Sequence, residues 1–405
     1  MIAWAHTEAD SRPLGIISAV LPIRRPPELG GLISLTMVSF AFGALSPALE
    51  EIQQVFGGGA QVAALLVAGF SAGRLMAGFP AGLLVDRVGP GRVILAGSVT
   101  FLAGALVALL STGLWMLVLG RVIQGIGLAL VPAGVLGRLM AAAADGRAGG
   151  AMALYQGAIT LGSAIGPALG GPAATFIGWR GGLVVCVVAG VVAVFAAIGS
   201  ARTYTPPRAK QQQARATFGW LAALALLVVL LPNIVTGMYR FAVGLLALPL
   251  YATGPVGLDP TSTGLLLGSQ GLITVVMLAP GGRACDRWGV RRVGIVSSAA
   301  IIVAIASFPS ATTSWALWGS ALLYGMSLSV LGVAAGAFIF TLKGFSTGTL
   351  VGMYRLSYDT VQVLSPLLVG LLLDAAGFSL SFYTLAAAGG LSLFALMSRM
   401  RQTVK

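Results

Sequence analysis

Residues 82–89 read Gly-Leu-Leu-Val-Asp-Arg-Val-Gly, and residues 282–289 read Gly-Arg-Ala-Cys-Asp-Arg-Trp-Gly. Both segments share the pattern Gly-x-x-x-Asp-Arg-x-Gly at an offset of 200 residues, and each one joins two long apolar runs. Gly166-Pro167 and Ser365-Pro366 form a second pair, at an offset of 199 residues. The repeat predicts two homologous halves, each built from six apolar segments.

The composition places these segments in a membrane. Of the 405 residues, 57% are hydrophobic and 9% are charged, whereas a soluble domain has roughly 25% charged residues. Apolar runs of about 20 residues cross a bilayer as helices. We therefore predict an all-α membrane protein with 12 transmembrane helices in two pseudo-symmetric six-helix bundles. The predicted spans cover residues 30–49, 60–83, 93–111, 114–137, 150–173, 181–200, 219–252, 262–282, 293–310, 314–342, 348–373 and 376–398.

The basic residues predict the orientation. Nineteen of the 24 Lys and Arg residues lie in the tails or in connections that follow even-numbered spans, and only Arg180 lies in another connection. Loops rich in Lys and Arg stay cytoplasmic, so we predict a multi-pass protein of the plasma (inner) membrane with both termini in the cytoplasm. The net charge of +13 then reflects topology, and we expect no nucleic-acid partner.

One polar linker, residues 201–217, sets the domain order. Its sequence, ARTYTPPRAKQQQARAT, separates six predicted spans from six. Span seven is predicted as one long helix that Pro232 bends. The predicted units are a cytoplasmic tail (1–29), an N-terminal bundle (30–200), the cytoplasmic linker (201–217), a C-terminal bundle (218–398) and a second cytoplasmic tail (399–405).

Three motifs give the chain a family resemblance. Gly82 to Arg92 resembles the loop motif G-x-L-x-D-R-x-G-R-K, Leu119 to Gly127 resembles the fourth-span motif R-x-x-Q-G-x-G, and Gly162 to Gly171 matches the fifth-span antiporter motif. Over residues 30–398 the chain thus resembles the major facilitator superfamily. The resemblance implies alternating access, in which two halves rock around a central site. Pro90 and Gly91 depart from the loop motif, where basic residues are usual.

The resemblance also implies a conformational latch at the two repeated loops. A carboxylate at the membrane boundary caps a helix N-terminus or pairs with arginine, and such contacts break when the halves move. The alternative is a pair of solvated turns whose charges only set the topology. The predicted latch residues are Gly82, Asp86, Arg87, Gly89, Arg92, Asp286 and Arg287.

The fifth span is predicted to be a packing and hinge element. Gly162, Gly166 and Gly170 fall within about 80° on one helix face, where small residues let another helix approach closely. Pro167 adds a bend, and Gly171 completes the motif. The resemblance to antiporters implies export.

Ionisable residues inside spans predict function, because burying them in a bilayer is costly. Asp359 is the only carboxylate placed deep in a span, and Arg355 precedes it by one helical turn. Burial and a neighbouring arginine act on a carboxyl group in opposite directions. We predict that Asp359 is the proton-coupling acid and that Arg355 tunes it. The alternative is a static ion pair.

Two further arginines lie inside spans of the first half. The resemblance implies that Arg121 relays protons, and the alternative is that it bonds span four to span one, with Gln124 suited to either role. For Arg74 we expect a structural role, with hydrogen bonds to backbone carbonyls.

Polar stripes on spans five, seven and eleven are expected to face a central cavity. Each stripe occupies an arc of at most about 140° on its helix. Four arginines against one aspartate inside the spans favour an anion over an organic cation, and span one contains no acid. The predicted cavity residues are Gln156, Thr160, Asn233, Thr236, Arg240, Tyr354, Tyr358 and Gln362.

These features predict a secondary active transporter that couples proton entry to the efflux of a small organic molecule, anionic or neutral. Uptake by symport or facilitated diffusion is the alternative, and a membrane enzyme, sensor or scaffold is a third. The single histidine, His6, lies in a tail, and Cys186 and Cys285 suggest neither a disulfide nor a metal site. We expect no enzyme activity, no metal and no cofactor. The expected partners are a small-molecule substrate, protons and the lipid bilayer, with the chain as a monomer.

Overall fold

The computed structural model describes residues 26–142, 148–201, 230–339 and 347–398. Every regular element in these ranges is helical. Ten segments there are long and apolar enough to cross a bilayer, and two of them, Leu154–Ala201 and Met353–Leu391, each hold two spans. The chain is an all-α membrane protein of twelve spans in two halves, as predicted.

The spans keep the numbers given above. In the first half the helices are Pro26–Ser39 and Leu49–Phe56 (span one), Ala60–Val88 (two), Pro90–Leu109 (three), Leu114–Ala142 (four), Ala148–Ile177 (five) and Gly181–Ala201 (six). In the second half they are Leu230–Thr253 (span seven), Pro260–Trp288 (eight), Val290–Ser307 (nine), Ser314–Phe338 (ten) and Thr347–Ser398, which contains spans eleven and twelve.

Four glycines end the helices at equivalent places in the two halves. Gly89 (φ 89°) and Gly289 (φ 86°) turn the chain between spans two and three and between spans eight and nine. Gly178 (φ 73°) and Gly377 (φ 70°) separate spans five and six and spans eleven and twelve. Only glycine adopts this left-handed region at no steric cost. The structural breaks therefore repeat at the offsets seen in the sequence.

Span one differs from its predicted course. Its first helix is Pro26–Ser39 rather than one that begins at residue 30, and proline suits a first helical turn. The predicted cytoplasmic tail 1–29 stays a prediction. After two short 3₁₀ turns, it continues as the helix Leu49–Phe56. Glu50 and Glu51 lie in the first turn of that helix, where acidic side chains are favourable. The observed span one therefore contains acidic residues, unlike the predicted span 30–49.

Span seven departs from regular α-helix at a different place from the one predicted. Pro232 lies within an α-helical stretch, whereas the segment Tyr239–Ala247 is π-helical. Single π-helical turns often mark functional sites, and this segment contains Arg240. Residues 219–229 of the predicted span, residues 202–217 of the predicted linker and the tail 399–405 lie outside the described residues.

Spans five and eight hold the two halves together through small residues. A Cβ atom added to Gly171 would meet the Pro260 carbonyl and lie 2.9 Å from the Gly264 Cα. One added to Gly268 would lie 2.8 Å from the Ala168 Cβ. Small residues permit this approach of two backbones in a membrane.

Spans two and eleven make a second contact between the halves at the same end. The Asp374 carboxylate accepts the backbone N–H groups of Ala60 at 2.6 Å and Gln61 at 3.1 Å. The Gln61 amide donates to the Leu367 carbonyl at 2.9 Å. A carboxylate here caps the first turn of span two. We call this end of the bundle, with Ala60, Pro260 and Asp374, the closed end; the turns at Gly89 and Gly289 lie at the opposite end.

Gly264→Leu is expected to keep the closed end apart, because a larger side chain would collide with the Pro167 carbonyl and Gly171. Cysteines at positions 61 and 367, in a chain without its two native cysteines, report this contact. We expect several-fold less disulfide cross-linking between them in the Gly264→Leu variant. Gly319→Leu is the control, since its Cβ would meet nothing within 4 Å. Equal cross-linking in both variants would contradict this packing.

Asp259 caps the start of span eight, where its carboxylate accepts the Ser262 N–H at 3.2 Å. Hydrogen bonding with Ser262 lowers the pKa of this carboxyl group. The charge therefore stabilises the fold above the unfolded-state pKa and ceases to do so as the pH falls through the folded-state value. Asp259→Ala is expected to lower the free energy of unfolding by about 1 kcal/mol at neutral pH. Thermal melting in detergent measures this loss of stability. Asp259→Asn is the control, because asparagine also caps helices. Equal melting temperatures for the alanine and asparagine variants would contradict the capping role.

Candidate functional site

An ion pair joins the two halves near the middle of their spans. Arg74 of span two places its Nη2 atom 3.3 Å from Oδ1 of Asp359 in span eleven. Its Nη1 atom donates to Oε1 of Gln362 at 3.1 Å. The expectation that Arg74 bonds backbone carbonyls is therefore wrong: its partners are side chains of the opposite half.

Asp359 also pairs with Arg355 on its own helix. The Arg355 Nε atom lies 3.7 Å from Asp359 Oδ2, across the predicted single turn. The Asp359 side chain is 10% exposed, against 21% for Arg74 and 52% for Arg355. One buried carboxylate thus stands between two guanidinium groups, one from each half. We call Arg74, Arg355, Asp359 and Gln362 the central cluster.

The central cluster retains unused hydrogen-bonding capacity. Among the described residues, Asp359 Oδ1 and Gln362 Nε2 are buried and have no hydrogen-bond partner; the Arg74 contact of Oδ1 is an ion pair without hydrogen-bond geometry. Tyr155 of span five lies close enough to Arg74, Arg355 and Asp359 for their charges to act on its hydroxyl. The arrangement can therefore accept a donor at Asp359 and offer a donor at Gln362.

Arg121 lies in a separate network within the first half. Its Nη1 atom donates to Gln124 Oε1 at 2.8 Å, and its Nη2 atom donates to the Ala41 carbonyl of span one at 3.2 Å. Its guanidinium group lies 4.4 Å from the centre of the Phe70 ring. These contacts favour the alternative in which Arg121 bonds span four to span one. Its predicted role in proton relay remains a prediction.

The predicted cavity residues of span seven contact span eleven. Asn233 Nδ2 donates to the Tyr354 carbonyl and to Ser357 Oγ, both at 2.9 Å. Thr236 Oγ1 donates to the Pro232 carbonyl of its own helix at 2.7 Å. Both side chains are buried, and these contacts stay within the second half.

Arg240 lies beside the Tyr358 hydroxyl, with the hydroxyls of Tyr324 and Tyr354 nearby. Tyr358 also packs edge-on against Phe241, with ring centres 5.6 Å apart. The ring centres of Phe241 and of Phe42 in span one are 6.3 Å apart. These aromatic rings therefore extend from the second half towards the first.

The fifth-span glycines lie against span one. Cβ atoms added to Gly162, Gly166 and Gly170 would meet the backbone carbonyls of Thr36, Phe40 and Ala44 in turn. Gly171 faces span eight instead, as described above, and the Pro167 ring lies against Gly43. On the same span Gln156 is exposed, and Thr160 is buried and donates to the Gln156 carbonyl at 2.7 Å. The motif packs span five on both halves, and its hinge role remains a prediction.

Comparison with known proteins agrees with this architecture. A family model described as Major Facilitator Superfamily matches residues 31–253 and again residues 229–404. The chain belongs to the major facilitator superfamily. The two matches overlap at residues 229–253, so both include span seven.

Relatives with assigned names match only part of the chain. It is 31% identical over 172 residues to the drug efflux pump JefA of Mycobacterium tuberculosis, which covers 42% of this chain and 34% of that protein. It is 34% identical over 117 residues to the methylenomycin A resistance protein of Bacillus subtilis strain 168, which covers 29% of this chain and 25% of that protein. The chain thus aligns with about a third or less of the length of these relatives.

The fold is similar to solved structures of a bacterial homologue of the human lysosomal transporter Spinster. The inward-facing, unoccupied form of that protein has a TM-score of 0.74 and 15% identity, and the match covers 93% of this chain and 97% of that one. Its inward-facing, occupied form has a TM-score of 0.72 and 14% identity. At this identity the likeness concerns the fold alone.

The predicted latch residues of this superfamily member lie mostly at the surface of the part that the structure describes. Asp86, Arg87, Arg92, Asp286 and Arg287 are exposed, and neither aspartate forms an ion pair with another described residue. Gly82 is also exposed, whereas Gly89 and Gly289 form the left-handed turns. The latch remains a prediction.

Packing explains why Gly91 stands where the loop motif usually has a basic residue. A Cβ atom at this position would collide with the backbone carbonyl of Ser200 at the end of span six. A basic side chain here would separate spans three and six.

Sequence reasoning missed the roles of Arg74, Gln61, Asp374 and Tyr155. Arg74 carried a usable signal, since an arginine inside a span needs a counter-charge and the spans hold few carboxylates. Asp374 and Gln61 resemble ordinary residues at helix ends, and only the arrangement of the halves brings them together.

Proposed function

We propose that this chain is a secondary active transporter that works by alternating access, with proton-coupled efflux of a small neutral organic molecule; an anionic solute belongs to the uptake alternative. The observation that carries this proposal is the Arg74–Asp359 contact across the halves. Rocking of the halves must change this contact, because its two members belong to different rigid bundles. A site at this interface is accessible from alternate sides as the bundles move.

Protonation of Asp359 supplies the coupling in this proposal. The carboxylate attracts Arg74 and Arg355, and a proton removes that attraction. Proton binding then changes the free energy of the contact between the halves, which is the linkage that coupled transport requires. The other charged group of the first half near mid-span, Arg121, is held within its own half.

The sign of the coupling depends on the solute. A neutral solute that donates a hydrogen bond to Asp359 competes with the proton, which gives antiport and hence efflux. An anion competes with Asp359 for the two arginines, so protonation of Asp359 favours its binding and gives symport. The central cluster thus connects the two directions of transport to two classes of solute.

Two findings favour efflux as the first choice. The fifth-span glycines match the antiporter motif, and the partial relatives carry the names drug efflux pump and methylenomycin A resistance protein. The motif and the two sequence matches each cover only part of the chain. Efflux is therefore the direction we propose, with uptake by symport or facilitated diffusion as the alternative outcome.

Vesicle transport tests this proposal. Solutes that differ in abundance between cells with and without the chain identify the substrate, and inside-out and right-side-out vesicles then measure its flux with and without an imposed pH gradient. We expect accumulation in inside-out vesicles that are acidic inside, collapse on adding a protonophore, and no accumulation in vesicles without the chain. Accumulation only in right-side-out vesicles would establish uptake, and the absence of flux in both would refute transport.

A further inference from the structure

A groove on the second half lies outside the central cluster. It has a volume of about 680 Å³, within the range of roughly 300–1,000 Å³ that is typical of ligand sites. Spans eight and nine diverge from the turn at Gly289, and span ten packs against both. The apolar part of the groove is lined by Pro280, Ala284, Val296, Ala300, Met326 and Val330.

The groove ends in a basic rim. Arg283, Arg287 and Arg292 line it beside Trp288 and are all exposed. Within the described ranges none of the three arginines has a hydrogen bond or an ion pair, and Asp286, the nearest acid in sequence, is exposed and has no ion pair there. Three positive charges therefore converge on the mouth of an apolar groove, at the end of the bundle opposite to the closed end.

The N-terminal copy of this turn has counterparts of Arg287 and Arg292, namely Arg87 and Arg92, but none of Arg283 and Trp288. Leu83 and Val88 stand where the second half has Arg283 and Trp288. A latch needs only the Asp-Arg pair that both copies share. The additional arginine and tryptophan therefore need another explanation, one specific to the second half.

We propose that this groove binds an anionic phospholipid, with its phosphate among the rim arginines and an acyl chain along the apolar wall. Arginines pair with phosphate oxygens through several donors, and basic pockets between spans bind anionic lipid headgroups. Trp288 is 60% exposed and ends the helix of span eight, and tryptophan is enriched at membrane interfaces. Val296, 69% exposed, lies on the surface of span nine that an acyl chain would cover. A soluble phosphate would use the rim but not the wall.

Lipid binding to the purified full-length chain tests this site. The chain is exchanged into nanodiscs of mixed phosphatidylglycerol and phosphatidylcholine, released, and examined by native mass spectrometry for retained lipid. We expect phosphatidylglycerol to be retained in preference to phosphatidylcholine. In the Arg283→Gln/Arg292→Gln variant this preference is expected to fall by roughly tenfold or more, since each basic residue near the surface contributes about 1 kcal/mol.

Three further variants and a phosphate competition locate the lipid. Arg87→Gln/Arg92→Gln removes the same charge from the homologous turn and is expected to leave the preference unchanged. Ala300→Trp fills the apolar wall without altering the rim and is expected to weaken lipid retention. Added inorganic phosphate is expected not to displace the lipid, and Arg283→Lys/Arg292→Lys is expected to keep most of the preference.

Three results would overturn the proposal. The first is equal retention of the two lipids by the unaltered chain. The second is an equal loss of preference in the variants of the two turns, which would show non-specific attraction. The third is full displacement by inorganic phosphate together with no effect of Ala300→Trp, which would show an anion site without a lipid. If the glutamine variant does not fold, the lysine and tryptophan variants decide between these outcomes.

Discussion

Replacing Asp359 with asparagine is expected to abolish the pH dependence of transport while the protein still folds and inserts. Asparagine has nearly the same shape and keeps one acceptor oxygen, but it takes up no proton. In proteoliposomes, we expect a pH gradient to drive no accumulation in the Asp359→Asn variant. Exchange of solute down its own gradient is expected to continue.

Two other aspartates provide controls for this result. Asp374→Asn makes the same substitution in span eleven, but at the closed end, and is expected to leave proton coupling intact. Asp86→Asn, in the predicted latch, is expected to slow the exchange between conformations without changing substrate affinity. Unchanged pH-dependent transport in the Asp359→Asn variant would remove this residue from the mechanism and leave a static ion pair.

Replacing Arg74 with glutamine is expected to have the second large effect. It would leave Asp359, which is 10% exposed, with only the half-exposed Arg355 as a counter-charge. Removing one partner of a buried pair costs roughly 3–5 kcal/mol, and the 21% exposure of Arg74 reduces that cost. We therefore expect transport to fall by roughly tenfold or more and the closed end to open more often. Arg74→Lys is expected to retain part of the activity, because lysine keeps the positive charge but lacks the planar set of N–H donors of the guanidinium group.

The double variant Arg74→Gln/Asp359→Asn separates a structural role from a functional one. Because the change in Arg74 and the change in Asp359 compensate in charge, closed-end cross-linking between positions 61 and 367 is expected to recover towards that of the unaltered chain. Such non-additivity is typical of residues in direct contact. Proton-driven accumulation is expected to stay absent, since no titrating group remains. Recovery of both the cross-linking and the proton-driven accumulation would indicate that the Arg74–Asp359 pair only holds the halves together.

The fold was predictable because it depends on local and repeated signals. Apolar runs located the spans, and the repeat at Gly82 and Gly282 indicated two halves. The spacing of Arg355 and Asp359 was enough to place their charges together, since residues four apart face each other on one helix. The same helical periodicity predicted that Gly162 and Gly166 lie on one face of span five.

The contacts between halves were not predictable in this way. Periodicity shows which residues share a helix face but not which helix that face meets, so the sequence did not show that Asn233 hydrogen-bonds span eleven; the cavity role of Asn233 and Thr236 stays a prediction. Arg74 belongs to no motif, and its partner lies 285 positions further along the chain (359 minus 74). The Asp374 cap likewise exists only because span eleven ends beside the start of span two.

Distance measurements between the halves test the central claim most directly. Spin labels at Gly58 and Ala375 would report on the closed end, and labels at Met152 and Ala279 would report on the opposite ends of spans five and eight. Alternating access around the central cluster predicts that acidification lengthens one distance and shortens the other, and that Asp359→Asn removes this response. Distances that stay constant, or that lengthen together, would contradict it.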